Sequence, residues 1–273
     1  MPTIVNIVDL DDPRIEPYRN VQERDLVGRQ ARFVAEGAVV VEQLCRAGGH
    51  FKLESLLLES RRVAPLRACI DGLSSDVPVY VLDQKHLDAI AGFHLHRGIL
   101  GIGLRGTARD AAALLREASL VVCLERIANH DNMGGIFRNA AAFGADALLY
   151  DEGSCDPLYR KAIRVSVGAS LSVPFANAGT TESMLNLLDE HGFITIALTP
   201  RADAPELDAI TRVLKGKRIA LLLGSEEPGL SDVALARGRP ARIPMAPRFD
   251  SLNVAVASGI ALHAVMRDAI RGK

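Results

Sequence analysis

The chain has 273 residues, 48% of them hydrophobic and 24% charged. This is a globular composition, with enough apolar side chains for one large domain or two of ordinary size. Its 32 basic and 33 acidic residues leave a formal net charge of −1, which excludes nucleic-acid binding through the overall charge of the molecule and requires a local basic patch instead.

The cysteines and the apolar runs indicate the cellular compartment of the protein. The acidic N-terminal stretch lacks the pattern of a signal peptide, and the longest apolar run, 253–266, is too short to span a bilayer. No two cysteines form a C-x-x-C pair, which argues against a disulfide framework or a zinc site. We therefore expect a cytoplasmic protein with no membrane partner, in which all four cysteines are small core residues: Cys45, Cys69, Cys123 and Cys155.

After an N-terminal extension over residues 1–20, the segment 21–105 alternates strand-like and helical patterns at short spacing. This segment is predicted to be a small α/β domain, and residues 106–117 are predicted to be a linker that leads into a helix. The predicted strands are 31–37, 51–59, 77–83 and 97–105, and the predicted helices are 38–48, 61–73 and 84–92.

The segment 118–273 contains nearly continuous apolar strands with helical patterns between them. Such strands are typical of a parallel sheet that is buried on both faces. We expect a parallel α/β domain with helices on both faces of the sheet. The predicted strands are 119–125, 146–150, 193–198 and 218–224.

One glycine pattern suggests a dinucleotide-binding turn. Gly101, Gly103 and Gly106 match G-x-G-x-x-G, and an acidic residue follows about 20 positions later. However, apolar residues alternate with these glycines, which places them inside a strand rather than in the turn after one. A nicotinamide-dependent oxidoreductase therefore stays only as an alternative.

The stretch 128–150 places two glycines at the start of a helix. Asn132 is expected to cap this helix, while Gly134 and Gly135 leave its N-terminus open to a substrate. Arg138 is expected to point away from the buried stripe. An ordinary capped helix with a solvated arginine is the simpler alternative. The stripe itself is formed by Ile136, Ala140 and Phe143.

Two later stretches also combine polar residues with glycine or other small residues, so that a ligand or another backbone could approach. At 220–232, a buried strand runs into a loop with Gly224 and Glu226, where open α/β sheets bind ligands; the alternative is a plain turn before a helix capped by Ser231. At 242–270, Ser251 or Asn253 is expected to cap a long helix. Its small residues allow another backbone to approach, within the core or at a subunit interface: Ala255, Ala257, Ser258, Gly259, Ala261 and Ala264.

Together, the three stretches resemble the sequence motifs of the SpoU–TrmH family of RNA ribose 2′-O-methyltransferases, in the SPOUT superfamily. They read NMGGIFRNAAAFGAD, LLLGSEEPGLSD and IPMAPRFDSLNVAVASGIALH. The segment 160–170 resembles the family's region between the first two motifs. RFVAEG and HRGILGI are similar to the ribosomal-protein-like substrate-binding domain of many members. The resemblance covers nearly all of residues 20–270.

The resemblance implies a parallel-sheet α/β domain whose C-terminal segment is threaded into a deep trefoil knot, preceded by the ribosomal-protein-like domain. The second and third stretches would form the knotted loops. It also implies that S-adenosylmethionine binds in a bent form, mostly through backbone groups of these loops. The matching positions are Leu223, Gly224, Ile243, Met245 and Leu252.

The implied reaction is attack of a ribose 2′-hydroxyl on the sulfonium methyl, without a metal. The family's catalytic arginine corresponds to Arg138, and the polar residues around it to Asn132, Glu226 and Asn253. Because arginine is always protonated, we expect Arg138 to hold a phosphate and to stabilise negative charge on the ribose oxygen. A neighbouring RNA phosphate could take part in proton removal, and the proton acceptor is left open. The two glycines would clear space for the RNA backbone beside it.

The implied partners are RNA, with ribosomal RNA favoured, and a second copy of the chain bound through the knotted domain. Arg160, Lys161 and Arg164 form a local basic cluster suited to phosphate contacts, although a solvated helix face would look the same. Weaker candidates are Arg29, Arg32, Arg61 and Arg62.

The sequence departs from the family pattern at two places, and two other functions are compatible with the same fold. Asn-His-Asp stands at 129–131, where the family often has Asp-Pro, and Ser225 stands where asparagine is common. A non-catalytic RNA-binding protein could retain the same fold. A methyltransferase that modifies a base nitrogen could also share it.

Overall fold

The computed structural model describes residues 2–21, 31–46, 50–95, 97–246 and 248–270. It divides into two compact units: unit 1 is Met1–Thr107 with Leu158–Ser172, and unit 2 is Ala108–Pro157 with Val173–Lys273. None of the helices in the described ranges combines the length and the apolar character that a bilayer crossing requires.

The described residues contain eleven strands and eleven α-helices. The strands are β1 (Ile4–Asn6), β2 (Arg32–Glu36), β3 (Lys52–Glu59), β4 (Val79–Leu82), β5 (Ile99–Leu104), β6 (Leu120–Glu125), β7 (Ala147–Tyr150), β8 (Phe175–Asn177), β9 (Ile194–Leu198), β10 (Ile219–Gly224) and β11 (Arg239–Ala241). The helices are α1 (Ala38–Arg46), α2 (Arg67–Asp71), α3 (Gln84–Ala91), α4 (Ala111–Glu117), α5 (His130–Ala142), α6 (Arg160–Val165), α7 (Ala169–Ser172), α8 (Thr181–Glu190), α9 (Leu207–Thr211), α10 (Asp232–Arg237) and α11 (Val254–Val265).

Unit 1 is built on a five-stranded mixed sheet in the order β1-β4-β3-β5-β2. β4 runs parallel to β1 and β3, whereas β5 runs antiparallel to β2 and β3. The four strands predicted for this segment are present. The helix predicted over 61–73 forms only in part, as a 3₁₀ turn at Ser60–Arg62 and as α2, because Pro65 between them cannot donate the backbone hydrogen bond that a continuous helix requires. The predicted end of α1 at Gly48 lies outside the described residues.

The first 20 residues contribute to unit 1, although the sequence had set them apart as an extension. β1 adds an edge strand to the sheet through its pairing with β4. A 3₁₀ helix at Pro13–Tyr18 follows, and Ile15 and Tyr18 are fully buried. The Tyr18 hydroxyl lies 2.7 Å from the Ser55 hydroxyl, a hydrogen bond that fixes this segment on the sheet.

The glycine pattern of the dinucleotide hypothesis lies in β5. Gly101 and Gly103 stand inside this strand, as the alternation of apolar residues predicted. A Cβ at Gly103 would lie 2.3 Å from a ring carbon of Phe33, so glycine there admits the aromatic ring of the neighbouring strand. These two glycines therefore have a packing role, and they do not form a cofactor turn.

Unit 2 contains a six-stranded sheet in the order β11-β9-β10-β6-β7-β8, with every neighbouring pair parallel. The predicted parallel α/β domain is confirmed. Val121, Val122, Cys123 and Leu124 of β6 are all fully buried. Because successive strand residues point to opposite faces, the sheet is covered on both sides.

Candidate active site

A cleft of about 600 Å³ opens at the carboxyl ends of β9 and β10 in unit 2. Its walls come from the segments 198–201, 223–230 and 251–254, together with Ile243 and Met245. A cavity of this size at this edge of a parallel sheet is a typical small-ligand site. The five positions that the sequence assigned to the cofactor all line it: Leu223, Gly224, Ile243, Met245 and Leu252.

Gly224 gives the cleft its shape in a way that the sequence did not predict. The sequence suggested that glycine at this position admits a ligand. In the structure, a Cβ there would lie 2.5 Å from the backbone nitrogen of Leu230 and 2.6 Å from the carbonyl carbon of Gly229. The group that comes close to Gly224 is therefore the backbone of its own loop, which folds back over the end of β10.

Two residues at the end of β6 hold this loop, and the sequence analysis missed both roles. The carboxylate of Glu125 is only 2% exposed and accepts hydrogen bonds from the Ser231 backbone nitrogen at 2.9 Å and from Thr181 Oγ1 at 3.1 Å. Arg126 Nη2 donates to the Gly229 carbonyl at 3.0 Å. The available signal was the acidic-basic pair at the end of a buried strand, where Glu125 is the last strand residue and Arg126 follows it.

Three side chains from distant parts of the chain form one polar cluster, Asn132, Glu226 and Asn253. Asn132 Nδ2 donates to Glu226 Oε1 at 2.9 Å. Asn253 Nδ2 lies 2.8 Å from Asn132 Oδ1 and 3.2 Å from Glu226 Oε1. The structure thus brings together three of the four residues assigned to catalysis, and two of them, Glu226 and Asn253, also line the cleft.

The helix caps explain how two of these side chains are oriented. Asn253 caps α11 by accepting from the backbone nitrogens of Ala255 and Val256, so its Oδ1 is used by the helix and its Nδ2 faces the cluster. The prediction that Asn132 caps α5 is wrong. Asn129 takes that role, and Asn132 lies buried in the first turn, where its amide is available to Glu226. Ser231 caps α10, a feature of the alternative interpretation of 220–232 as a plain turn before a capped helix.

The paired glycines also have a different role from the expected one. A Cβ at Gly135 would lie 2.7 Å from the Cβ of Ala255, so this glycine makes room for α11 rather than for RNA. One turn later, Asn139 Nδ2 donates to the Ala255 carbonyl at 2.6 Å and to Ser258 Oγ at 2.9 Å. The small residues of α11 therefore admit the backbone of α5, as their pattern predicted. Gly134 is buried on α5.

Arg138 stands apart from the polar cluster. It lies on α5 six positions after Asn132, which corresponds to about 9 Å along the helix axis. Its side chain is exposed, as predicted, and no hydrogen bond or ion pair joins it to another of the described residues. Ile136 and Ala140 of the predicted stripe are buried, and Phe143 is half-buried.

The SpoU rRNA methylase family model matches residues 119–263, which is more than half of the chain. The chain belongs to this family. The match spans the cleft, the polar cluster and the α5–α11 packing. The family resemblance inferred from the three motifs is thereby confirmed.

Relatives and solved structures resemble the chain over nearly its whole length. An uncharacterized tRNA/rRNA methyltransferase of Mycobacterium bovis is 37% identical over 265 residues, covering 95% of this chain and 91% of that protein. An AdoMet-bound rRNA methyltransferase from Sinorhizobium meliloti has a TM-score of 0.82 at 26% identity and covers 97% and 98% of the two chains. The crystal structure of an RNA 2′-O ribose methyltransferase has a TM-score of 0.75 at 26% identity and covers 97% of this chain and 99% of that chain.

The basic residues expected to contact RNA are used differently from one another. Within unit 1, Arg160 pairs with the buried Glu36 at 2.5 Å and lies over the ring of Phe93, and only 16% of its side chain is exposed. Its charge therefore serves the packing of unit 1, contrary to the expected phosphate contact. Lys161 and Arg164 are exposed on α6.

The weaker candidates in unit 1 are paired with carboxylates. Arg32 makes a two-point contact with Glu54, with distances of 2.7 and 2.6 Å. Arg61 and Arg62 both lie beside Glu59. Arg29 lies outside the described residues.

Proposed function

We propose that this protein transfers a methyl group from S-adenosylmethionine to a ribose 2′-hydroxyl of RNA, with ribosomal RNA as the substrate. The observation that carries the proposal is the hydrogen-bonded cluster of Asn132, Glu226 and Asn253 on the wall of the cleft. Family membership supports methyl transfer to RNA. The similar AdoMet-bound rRNA methyltransferase and the similar 2′-O ribose methyltransferase support the cofactor and the acceptor.

The cleft suits S-adenosylmethionine, which combines a flat adenosine with a charged amino-acid end. Apolar side chains such as Leu223, Ile243 and Leu252 would hold the adenosine, and backbone groups of 224–230 would bind the polar atoms. The closed turn at Gly224 keeps those backbone groups on the cleft wall. When bound, the cofactor supplies a methyl group activated by the positive sulfonium, while the protein orients the acceptor and excludes water.

The polar cluster would position the ribose. Both amide nitrogens are directed at Glu226 Oε1, so the carboxylate is held in one orientation. None of the described residues bonds the other oxygen of Glu226, Oε2. This oxygen can therefore accept a hydrogen bond from the 2′-hydroxyl. The guanidinium of Arg138 would hold an RNA phosphate and stabilise the ribose oxygen as that oxygen loses its proton.

Unit 1 would contribute to RNA binding. Lys161 and Arg164 are exposed on one helix and can contact phosphates, whereas Arg160 would hold that helix in place through Glu36. Ribosomal RNA is favoured over transfer RNA by the resemblance of this part of the chain to ribosomal-protein-like domains, an argument by analogy. The trefoil knot of unit 2 likewise stays a prediction from the resemblance.

The exposed side of α11 would bind a second copy of the chain. Val256 is 53% exposed and Ile260 is 42% exposed, and they are four positions apart, so they share one face of the helix. Exposed apolar residues grouped on a helix are typical of a protein interface. The same helix carries Asn253 at its N-terminus, so a dimer formed there would lie close to the cluster.

A methyl-transfer assay tests the proposal. Unmodified total RNA is incubated with tritiated S-adenosylmethionine and the wild type, Arg138→Ala or Glu226→Gln, with Arg116→Ala as an exposed-arginine control. After alkaline hydrolysis, a 2′-O-methyl group leaves label in resistant dinucleotides. We expect this label with the wild type and the control, and its loss with the two site variants.

The other outcomes distinguish the alternatives. Label in alkali-sensitive mononucleotides would assign the protein to base methylation. Cofactor binding without transfer to any RNA would favour a non-catalytic RNA-binding protein. Failure to bind S-adenosylmethionine in calorimetry, with binding of a nicotinamide dinucleotide instead, would overturn the proposal altogether.

A further inference from the structure

Two thiols face each other in unit 1, outside the cleft of unit 2. Cys45 Sγ, in the last turn of α1, lies 3.4 Å from Cys69 Sγ on α2. Both cysteines are free; Cys45 is exposed and Cys69 is half-buried. The expectation that all four cysteines are core residues holds for the fully buried Cys123 but is wrong for this pair.

The thiol pair borders a cavity of about 760 Å³ in unit 1, which gives small reagents access to it. Arg46 and Lys52 contribute positive charge to the lining, and Glu42 and Asp76 contribute negative charge. Arg46 also lies 3.5 Å from Glu42. The two sulfur atoms are thus reachable from solvent and surrounded by polar groups.

The hydrogen bond between the thiols makes the two sulfur atoms unequal. The bond from Cys45 lowers the pKa of Cys69 to about 7, and the charge of Arg46 acts in the same direction, whereas burial and the carboxylate of Glu42 oppose it. The same bond raises the pKa of Cys45 above its usual range. The lowered pKa of Cys69 and the nearby positive charge of Arg46 favour Cys69 as the nucleophile, with Cys45 as the hydrogen-bonded partner beside it.

We propose that Cys45 and Cys69 form a reversible intramolecular disulfide when the protein meets a hydroperoxide. The sulfur atoms need to approach from 3.4 Å to the bond length of about 2.04 Å, a short movement for two side chains that already face each other. The disulfide would join α1 to α2 across 24 positions of the chain.

The chemistry takes two steps. First, the Cys69 thiolate attacks one oxygen of the hydroperoxide, and the O–O bond breaks. Cys69 becomes a sulfenic acid, and the other oxygen takes a proton from solvent and leaves as an alcohol or water. Then the Cys45 sulfur attacks the Cys69 sulfur and displaces hydroxide, which takes the proton of Cys45 and leaves as water. The two thiols lose two electrons, which reduce the hydroperoxide, and a dithiol reductant reverses the change.

The other cysteines provide controls within the chain. Burial raises the pKa of the Cys123 thiol, and burial together with Asp156 raises the pKa of Cys155 to about 12. Neither has a low pKa and an adjacent thiol, which are the properties of a redox-sensitive cysteine. Both are expected to stay reduced at a peroxide dose that oxidises the pair.

The test treats the full chain with hydrogen peroxide at pH 7, blocks the remaining thiols with a maleimide and maps the peptides by mass spectrometry. We expect one cross-linked species that joins the Cys45 and Cys69 peptides, that has lost two hydrogen atoms and that dithiothreitol reverts. Cys45→Ser and Cys69→Ser should each abolish it, whereas Cys155→Ser should not.

The serine variants also test the assigned roles. In Cys45→Ser, peroxide should leave Cys69 as a sulfenic acid that dimedone labels, and in Cys69→Ser no such label should form at Cys45. Circular dichroism verifies that each variant is folded. Oxidation of Cys155 as fast as Cys69, a cross-link only between two chains, or maleimide labelling of both thiols at full extent after peroxide would overturn the proposal.

Discussion

Ala255 of α11 occupies the place that any side chain at Gly135 of α5 would need. An added Cβ at Gly135 would lie 2.7 Å from the Cβ of Ala255, a distance that real Cβ atoms essentially never show. On helix propensity alone, alanine would be better than glycine here by about 1 kcal/mol. Each helix also carries an amide of the polar cluster, Asn132 or Asn253, so this packing sets the geometry of the site.

We therefore expect Gly135→Ala to destabilise the protein despite its gain in helix propensity. Overpacking of this kind costs about 1–3 kcal/mol. Ala255→Gly removes the clashing Cβ and costs about 1 kcal/mol in propensity. The double variant should be more stable than the sum of the single effects predicts, as measured by urea unfolding of the four proteins. Additive effects would show that the two positions do not meet.

Local patterns predicted much of unit 2. Nearly continuous apolar strands predicted the parallel sheet, because only strands covered on both faces have that composition. The sequence offered Ser231 as a cap in the alternative interpretation of its loop, and Ser251 or Asn253 as the cap of α11; Ser231 and Asn253 are caps, because a cap depends only on the few residues that follow it. The motifs then identified residues that the structure brings together.

The wrong predictions concern residues whose contact partners in the structure are distant in the chain. Asn132 was assigned to a cap, but its partner Glu226 lies 94 positions away. The space at Gly135 and at Gly224 was assigned to RNA and to a ligand, although protein backbone and side chains occupy it. Arg160 was assigned to RNA, but it pairs with Glu36, 124 positions earlier. A linear pattern shows that a position needs space or a partner, and only the fold identifies which group provides it.

Substitutions at Asn253 separate its two roles. Asn253→Asp keeps an oxygen that caps α11 but loses the donor to Glu226 and places a second carboxylate beside it. Methyl transfer should fall on the order of 10²-fold, as when one oriented hydrogen bond at a reaction centre is lost. Asn253→Ala should reduce methyl transfer by a similar factor. It should also lower the free energy of unfolding by about 1 kcal/mol, because the cap of α11 is lost.

The control for stability is Asp110→Ala, which removes the cap of α4 away from the cleft. It should cost about 1 kcal/mol of unfolding free energy and leave methyl transfer at the wild-type level. Thermal unfolding and the tritium assay, applied to all three variants, provide the comparison. Wild-type activity in Asn253→Asp would remove the cluster from the proposed mechanism.

The hydrogen bond from Arg126 to Gly229 is expected to matter for cofactor affinity. Arg126 has a positive φ of 56°, which asparagine tolerates, so Arg126→Asn removes the long side chain without adding backbone strain. Losing one bond that holds the loop should raise the Kd for S-adenosylmethionine roughly 10-fold, measured by calorimetry. Arg116→Ala, which removes an exposed arginine on α4, serves as the control and should leave the Kd unchanged. An unchanged Kd in Arg126→Asn would show that the loop keeps its shape without this bond.

The separation of Arg138 from the polar cluster leads to a prediction about the proposed dimer. Arg138 is exposed and bonds none of the described residues, and α11, next to α5, carries the exposed pair Val256 and Ile260. We expect the arginine of one copy to serve the cluster of the other. Arg138→Ala and Glu226→Ala, co-expressed with different tags, should then recover activity that neither has alone.

The expected recovery follows from symmetry. Random pairing of the two variants makes half of the dimers mixed, and each mixed dimer has one intact site out of two, which gives about a quarter of wild-type activity. Ile260→Glu, introduced into both chains, should separate the copies in light scattering and abolish the recovery, because charge on an apolar interface prevents association. If co-expression restores nothing while the mixed dimer is isolated intact, each cleft uses the arginine of its own chain.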